Sequence, residues 1–239
     1  MSRDYSYLIN TLSNWKFELD DNQIKQLDTF YEMLIEKNKV MNLTAITEFD
    51  EVLVKHFVDS LSICTVLPGD VNTVCDLGTG AGFPGIPMAI AYPNLKFTLV
   101  DSLNKRIKFL QEVVDALGLT NVELIHARAE EIGRNKSYRE KFDLVVSRAV
   151  ANIATLSEYC LPLVQVGGYF ISFKAGDVED EIKSSGSAIK KLGGTLDNPV
   201  LFTLPDTDIS RSFLIINKEK NTPKAYPRKA GTPSKEPLK

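Results

Sequence analysis

The stretch Val74-Cys75-Asp76-Leu77-Gly78-Thr79-Gly80-Ala81-Gly82-Phe83-Pro84-Gly85 joins an apolar β-type run to a cluster of glycines. Glycines between a strand and a helix let a ligand approach the backbone, because no Cβ stands in the way. Pro84 and Pro87 suit a first helical turn, where a missing N–H costs nothing. The register Gly80-x-Gly82-x-x-Gly85 matches a dinucleotide loop, but such loops come straight off the strand to hold a pyrophosphate. Here Asp76 stands at the strand end, where a carboxylate repels phosphates and attracts a cation such as an amino acid's ammonium group. Asp101 closes the next apolar run and is placed to accept hydrogen bonds from both hydroxyls of a ribose. Two acids flanking the loop fit S-adenosylmethionine, a nucleoside with an amino-acid end and a sulfonium charge, better than a doubly anionic dinucleotide. A dinucleotide-binding, redox-linked regulator that transfers nothing is the alternative.

Methyl transfer from a sulfonium is a displacement that needs an aligned acceptor with a free lone pair. Enzymes that methylate exocyclic amines typically carry an Asn/Asp-Pro-Pro-aromatic run after the fourth strand, whereas this chain has Ser147-Arg148-Ala149-Val150. Attack through a pyrimidine carbon needs a nucleophilic cysteine there. Cys75 and Cys160 instead fall in a buried strand and a helix as plain core. A guanine N7 has its lone pair already available and loses no proton, so no general base is expected and no catalytic residue is assigned. Arg148 is a candidate for positioning guanine or cofactor, against the plainer reading of a strand-end ion pair. At Ala127-Arg128-Ala129-Glu130, after the third strand, Glu130 faces an adenine or caps a short helix. Lys55 and His56 lie on a polar helical stripe with Asp59 and Ser60, either solvated or in contact with RNA. His126 is expected to be structural.

These residues need a scaffold. Ile24, Leu27, Phe30, Tyr31, Leu34 and Ile35 recur at helical spacing, and Thr47-Glu48-Phe49-Asp50 resembles a capping box opening a second helix through Leu61. From Val71 the period changes. Short β-type runs at 73–77, 97–101, 122–126, 142–147 and 169–174 alternate with helical stretches such as 104–117 and 152–164. Such alternation means βαβ units and a parallel sheet. Runs at 196–203 and 211–217 should form an antiparallel hairpin at one edge. The expected fold class is therefore α/β, a Rossmann-like class I methyltransferase with a seven-stranded mostly parallel sheet, an antiparallel terminal hairpin and an N-terminal helical extension. The expected divisions are 1–70 for the extension, 71–217 for the S-adenosylmethionine-dependent domain and 218–239 for a tail.

With 44% hydrophobic and 25% charged residues among 239, the chain has the composition of a soluble globular protein. No apolar run is long enough for a membrane span, which points to the cytoplasm. Three cysteines without a C-x-x-C pair suggest neither a disulfide framework nor a metal site. Six lysines and Arg228 against two glutamates over 218–239 give a surplus of five positive charges, leaving −8 for the rest of a chain whose total is −3. A basic end on an acidic body is either a solubilising tail or a local anion contact.

Taken together, Asn42-Leu43-Thr44, His56-Phe57-Val58-Asp59-Ser60-Leu61, the segment Asp76 to Gly85, Ser147-Arg148-Ala149 and Tyr226-Pro227-Arg228-Lys229-Ala230-Gly231-Thr232-Pro233 resemble the bacterial small-subunit rRNA guanine-N7 methyltransferase family, also called the glucose-inhibited-division protein B family. The resemblance covers nearly the whole chain. It implies methylation of N7 of guanine 527 in 16S rRNA, with S-adenosylmethionine as donor. It places cofactor contacts on Gly78, Phe83, Ala129, Glu130 and Arg148, with Asp101 at the ribose, beside Asp76, Gly80 and Gly82 from the loop itself. It also makes Tyr226, Arg228 and Lys229 candidates for RNA contact, together with Lys55 and His56. The partner is then 16S rRNA or the small ribosomal subunit, and the chain is expected to act as a monomer.

Overall fold

A computed structural model describes residues 3–148, 151–176 and 178–239. Ala149 and Val150, part of the Ser-Arg-Ala-Val run, lie outside the described residues, as do Met1 and Ser2. The chain opens with helices α1 (Ser6–Asn14) and α2 (Asp21–Met41). A third helical stretch is α-helical over Phe49–Val52 (α3), π-helical over Leu53–Val58 and α-helical again over Asp59–Leu61 (α4). The expected capping box at Thr47 does not form. The N-cap there is Glu48 without a side-chain bond, and the box sits instead at the start of α2, where Asp20 and Gln23 cap each other reciprocally.

The remaining elements are β1 (Thr73–Leu77), α5 (Gly85–Ala91), β2 (Lys96–Asp101), α6 (Asn104–Leu117), β3 (Val122–His126), α7 (Ala129–Ile132), β4 (Phe142–Ser147), α8 (Ile153–Cys160), β5 (Val164–Ala175), α9 (Glu179–Lys191), β6 (Gly194–Leu196), β7 (Val200–Thr203), β8 (Ser210–Lys218) and α10 (Thr232–Lys235). The sheet order is β3-β2-β1-β4-β5-β8-β6, with β7 also on β8; β1 to β5 are parallel and β6, β7 and β8 antiparallel. Among the described residues there are eight strands rather than seven. The run expected as one strand at 196–203 divides into β6 and β7, because Pro199 has no N–H to give the ladder.

Alternation along the strands sends side chains to two separate cores. Val74, Leu99 and Val146 share a core with Leu27, Phe30 and Phe57 of the N-terminal helices and with Phe109 and Leu110 of α6. Cys75, Val100 and Val145 pack on the other side with Ile132, Leu156 and Ile189. Asp76 and Asp101 follow the parity of Val74 and Leu99, so both acids face the layer made by the N-terminal helices. The strand order reverses between β1 and β4. That switch point opens a crevice at the carboxyl ends of these strands.

The basic C-terminal segment is folded onto the body. Lys218 is fully buried, donating to Leu161 O and to Thr222 Oγ1. Arg139 donates to the carbonyls of Thr222 (2.7 Å) and Tyr226 (2.9 Å), and Arg134 to that of Pro227 (2.9 Å).

Candidate functional site

The loop after β1 is held from below by β2. Gly78 and Thr79 donate their N–H groups to Val100 O at 2.9 and 3.0 Å, and Gly80 N donates to Asp101 Oδ2 at 2.9 Å. Asp101 Oδ1 accepts from Leu103 N at 2.8 Å, so one carboxylate pins both the glycine loop and the loop that opens α6. The glycines differ in role. Gly78 (φ +80°) has open space where a Cβ would stand, and Gly80 (φ +62°) meets only Gly78 O at 3.9 Å. These two can admit a ligand to the backbone. Gly82, expected among the cofactor contacts, instead turns inward. A Cβ on it would lie 2.8 Å from Ile86 and Leu110 and 3.3 Å from Phe30. Gly85 lets α5 close on β1, since a Cβ there would lie 2.7 Å from Asp76 Oδ2. Gly82→Ala combines overpacking with a left-handed backbone and should cost about 2–4 kcal/mol in urea unfolding, whereas Gly78→Ala carries only the backbone cost, about 1–2 kcal/mol.

Asp76 lies fully buried beneath this loop. Its Oδ2 accepts from Gly85 N at 2.9 Å, while its Oδ1 and the Thr79 hydroxyl have no hydrogen-bond partner among the described residues. Burial pushes the Asp76 carboxyl up to about 6. Its charge therefore acts on a ligand through the floor of the loop rather than by open contact. The orphaned buried oxygen, the free space over Gly78 and Gly80 and the acid at Asp101 together fit a nucleoside with a cationic amino-acid end.

Beside the loop, His56 stacks on Phe83 with ring centroids 4.4 Å apart, and the Arg148 guanidinium lies 5.1 Å from the same ring. Arg148 NH2 reaches His56 Nδ1 at 3.2 Å, and Thr44 Oγ1 lies 2.9 Å from His56 Nε2. Arginine can only donate, so Nδ1 must hold the lone pair and Nε2 the proton, which it donates to Thr44. Burial and the neighbouring Arg148 push His56 down to about 3. The folded protein keeps this ring neutral while the unfolded chain binds a proton below pH 6.5. Its contribution to stability is thus present above pH 6.5 and should be lost as pH falls from there toward 3. Urea midpoints at pH 7.5 and 5 should fall further apart in the wild type than in His56→Gln.

Arg148 NH1 donates to Asp59 Oδ2 at 3.0 Å and to Lys55 O at 3.3 Å, and Arg211 Nε donates to Asp59 Oδ1 at 2.8 Å. Asp59 is 3% exposed. One buried carboxylate from the N-terminal helices therefore holds a guanidinium from the end of β4 and another from the start of β8. Sequence reading placed Asp59 on a polar stripe, either solvated or in contact with RNA, and passed over Arg211. The available signal was that Phe57-Val58 and Leu61 flank Asp59 in a helix too apolar to be solvated. Arg148, Lys55, His56, Asp59 and Arg211 line a cavity of about 1000 Å³, which Lys174 of β5 and Glu181 of α9 also line.

Ala129 stands in the first turn of α7, where N–H groups lack intrahelical acceptors. The side chain of Glu130, expected at the adenine, is buried and accepts from Gly231 N at 2.8 Å. Arg228 is likewise engaged. Its Nε and NH2 reach Glu158 at 2.9 and 2.7 Å, NH2 also reaches Glu236 O at 2.7 Å, and Glu158 is fully buried. Tyr226 is half-buried against the second core, whereas Lys229 is exposed. Lys55 pairs with Glu51 on its own helix.

A family model described as rRNA small subunit methyltransferase G matches residues 23–206. Curated proteins named ribosomal RNA small subunit methyltransferase G are similar over nearly the whole chain. The one from Lachnoclostridium phytofermentans is 52% identical, over 99% of this chain and 98% of its own length; the one from Alkaliphilus metalliredigens is 54% identical, over 93% and 94%. Among solved structures, TYW2 of M. jannaschii in complex with AdoMet aligns with a TM-score of 0.51 at 16% identity, over 64% of this chain and 71% of that one, a likeness of fold. The dinucleotide-binding alternative finds no support in these likenesses, and Gly82, the middle glycine of its register, faces the core. Near-complete similarity to proteins of one description, on a class I methyltransferase sheet with the expected glycine loop, establishes that the chain belongs to the rRNA small subunit methyltransferase G family.

Proposed function

We propose that this chain transfers a methyl group from S-adenosylmethionine to N7 of guanine 527 in the 16S rRNA of the small ribosomal subunit. The observation that carries the reading is the chemistry of the two side chains that touch both the glycine loop and the large cavity. Arg148 has no lone pair, and the free lone pair of His56 is taken by Arg148. Neither can remove a proton, so the site suits a nucleophile that needs none removed.

Gly78, Gly80, Asp101 and Ala129 would hold the donor, which supplies an electrophilic methyl group when bound. Asp76 sets a negative field under the loop that favours a cationic ligand, and such a ligand in turn favours the ionised carboxylate. Phe83 is fixed by Phe30 and His56, at ring separations of 5.2 and 4.4 Å, and so forms a rigid wall. Arg148, anchored by Asp59, places permanent positive charge beside the acceptor without competing for the methyl group. The acceptor base must leave its stack to enter. Exposed Lys229 and half-buried Lys55 are the lysines among the named candidates for phosphate contact, and the chain acts as a monomer in the cytoplasm. Among the described residues no helix is long and apolar enough to cross a membrane.

Mass spectrometry of 16S rRNA from cells lacking the protein should show the N7 methyl group missing from that guanine. A wild-type copy should restore it and Asp101→Ala should restore it only weakly, since that change removes the acceptor of Gly80 N and Leu103 N. Retention of the methyl group in the null strain would refute the assignment.

A further inference from the structure

We propose that the cavity of about 1000 Å³ beyond Arg148 receives the acceptor base, and that Glu181, which also lines it, selects guanine by accepting hydrogen bonds from N1–H and the 2-amino group. The inference rests on the methyl-transfer reading above and adds to it the residue that reads the base. Position supports it first. The carboxyl ends of β1, β4 and β5 stand side by side in the sheet, carrying the glycine loop, Arg148 and Lys174 in that order. Neighbouring strands lie about 4.8 Å apart, so the cavity begins one strand away from the donor side. Its volume is in the range of small-molecule sites, about 300–1000 Å³, and ample for a nucleotide.

The lining offers both hydrogen-bond donors and a carboxylate acceptor. Next to the glycine loop stands Arg148, a donor only. Glu181 also lines the cavity, and its Oε1 accepts from Lys174 Nζ at 2.6 Å and from Ile153 N. These bonds orient the carboxylate, and Oε2 has no protein partner among the described residues. Asp180, the other acid of α9 in the lining, is exposed and lies 3.9 Å from Lys183.

Guanine has the matching polarity. Its N7 and O6 are acceptors on one edge, and its N1–H and 2-amino group are donors on the other. With N7 turned to the glycine loop, O6 meets Arg148 and the donor edge meets Glu181. Adenine in the same pose sets its 6-amino group against a guanidinium and its N1 lone pair against a carboxylate, and both contacts repel. Arg211 and Lys55, at the same cavity, supply cations for the attached phosphates.

Inosine, which keeps N7, O6 and N1–H but lacks the 2-amino group, is the probe. Methyl transfer is measured into 16S rRNA carrying either guanosine or inosine at the target position. Wild type should favour guanosine in kcat/KM by about 10-fold or more, the expected effect of one charge-assisted hydrogen bond. Glu181→Gln keeps an oxygen for Lys174 and Ile153 but presents an amide to the base, and its preference should fall toward one. Calorimetry with S-adenosylhomocysteine should give wild-type affinity for that variant, separating base reading from donor binding and folding. Should Glu181→Gln not fold, Glu181→Asp withdraws the carboxylate by one methylene and serves the same comparison. A wild type that treats inosine like guanosine, or a folded variant that keeps the preference, overturns the assignment of Glu181. No transfer into either RNA by wild type would instead overturn the methyl-transfer reading itself.

Discussion

Asp59→Ala should lower stability by about 3–5 kcal/mol and reduce methyl transfer by at least two orders of magnitude, the effect expected when a buried charge loses its partner at a catalytic centre. Asp59 is 3% exposed and holds Arg148 at 3.0 Å and Arg211 at 2.8 Å. Without it, two guanidiniums share a largely buried pocket and lose the carboxylate that both of them contact. Arg148 would then leave Phe83 and His56 to reach water. Desolvation already opposes the charged form of Arg148, and Asp59 is the main opposing influence. Urea unfolding and a methyl-transfer assay on the purified variant test both parts. Asp59→Asn keeps the shape and should fall between wild type and alanine. A loss under about 1 kcal/mol for alanine would show that water reaches the pair as at an exposed ion pair.

Arg228→Ala should also destabilise by about 3–5 kcal/mol, because Glu158 would be left fully buried and unpaired. The whole docked segment depends on such pairs. Glu158 accepts from Arg228 N as well as from its guanidinium, and Glu130 holds Gly231 N. The substitution should expose the stretch around 226–236 to limited proteolysis. This outcome separates a docking role from a direct phosphate contact. If Arg228 only met phosphate, the variant would keep its stability and the slope of log K against log salt would fall by about 0.7–0.9. Lys229→Ala should behave in that second way, since Lys229 is exposed and its side chain makes no ion pair among the described residues.

Much of the scaffold was legible from local pattern. The expected runs at 73–77, 122–126 and 142–147 coincide with β1, β3 and β4, and 104–117 with α6. β1 and β4 are buried in the sheet and α6 packs against it, so their apolar period is plain, and Asn72 and Gly78 bound β1, Asn121 precedes β3, and Asn104 and Gly118 mark the ends of α6. The hairpin was read with the wrong strand count because one proline interrupts a ladder whose apolar residues continue past it. The π-helical turn at Leu53–Val58 leaves no mark on a sequence whose apolar spacing still suits an α-helix.

The chain alone determined the fold class, the family and the loop proposed to meet the donor. Each rests on residues close together in sequence, where spacing and side-chain chemistry carry the information. Only the tertiary structure decided which of those residues stand open and which are packed. Gly78 and Gly82 look alike in the loop, yet Phe30 and Leu110 turn the second into a packing contact. Arg228 looks like a free cation in a basic tail until a glutamate 70 residues away is found beneath it, and Arg211 gains its role from Asp59, 152 residues distant. A charge is a solvent group or a site group according to what desolvates and pairs it, and those partners arrive only when distant segments pack.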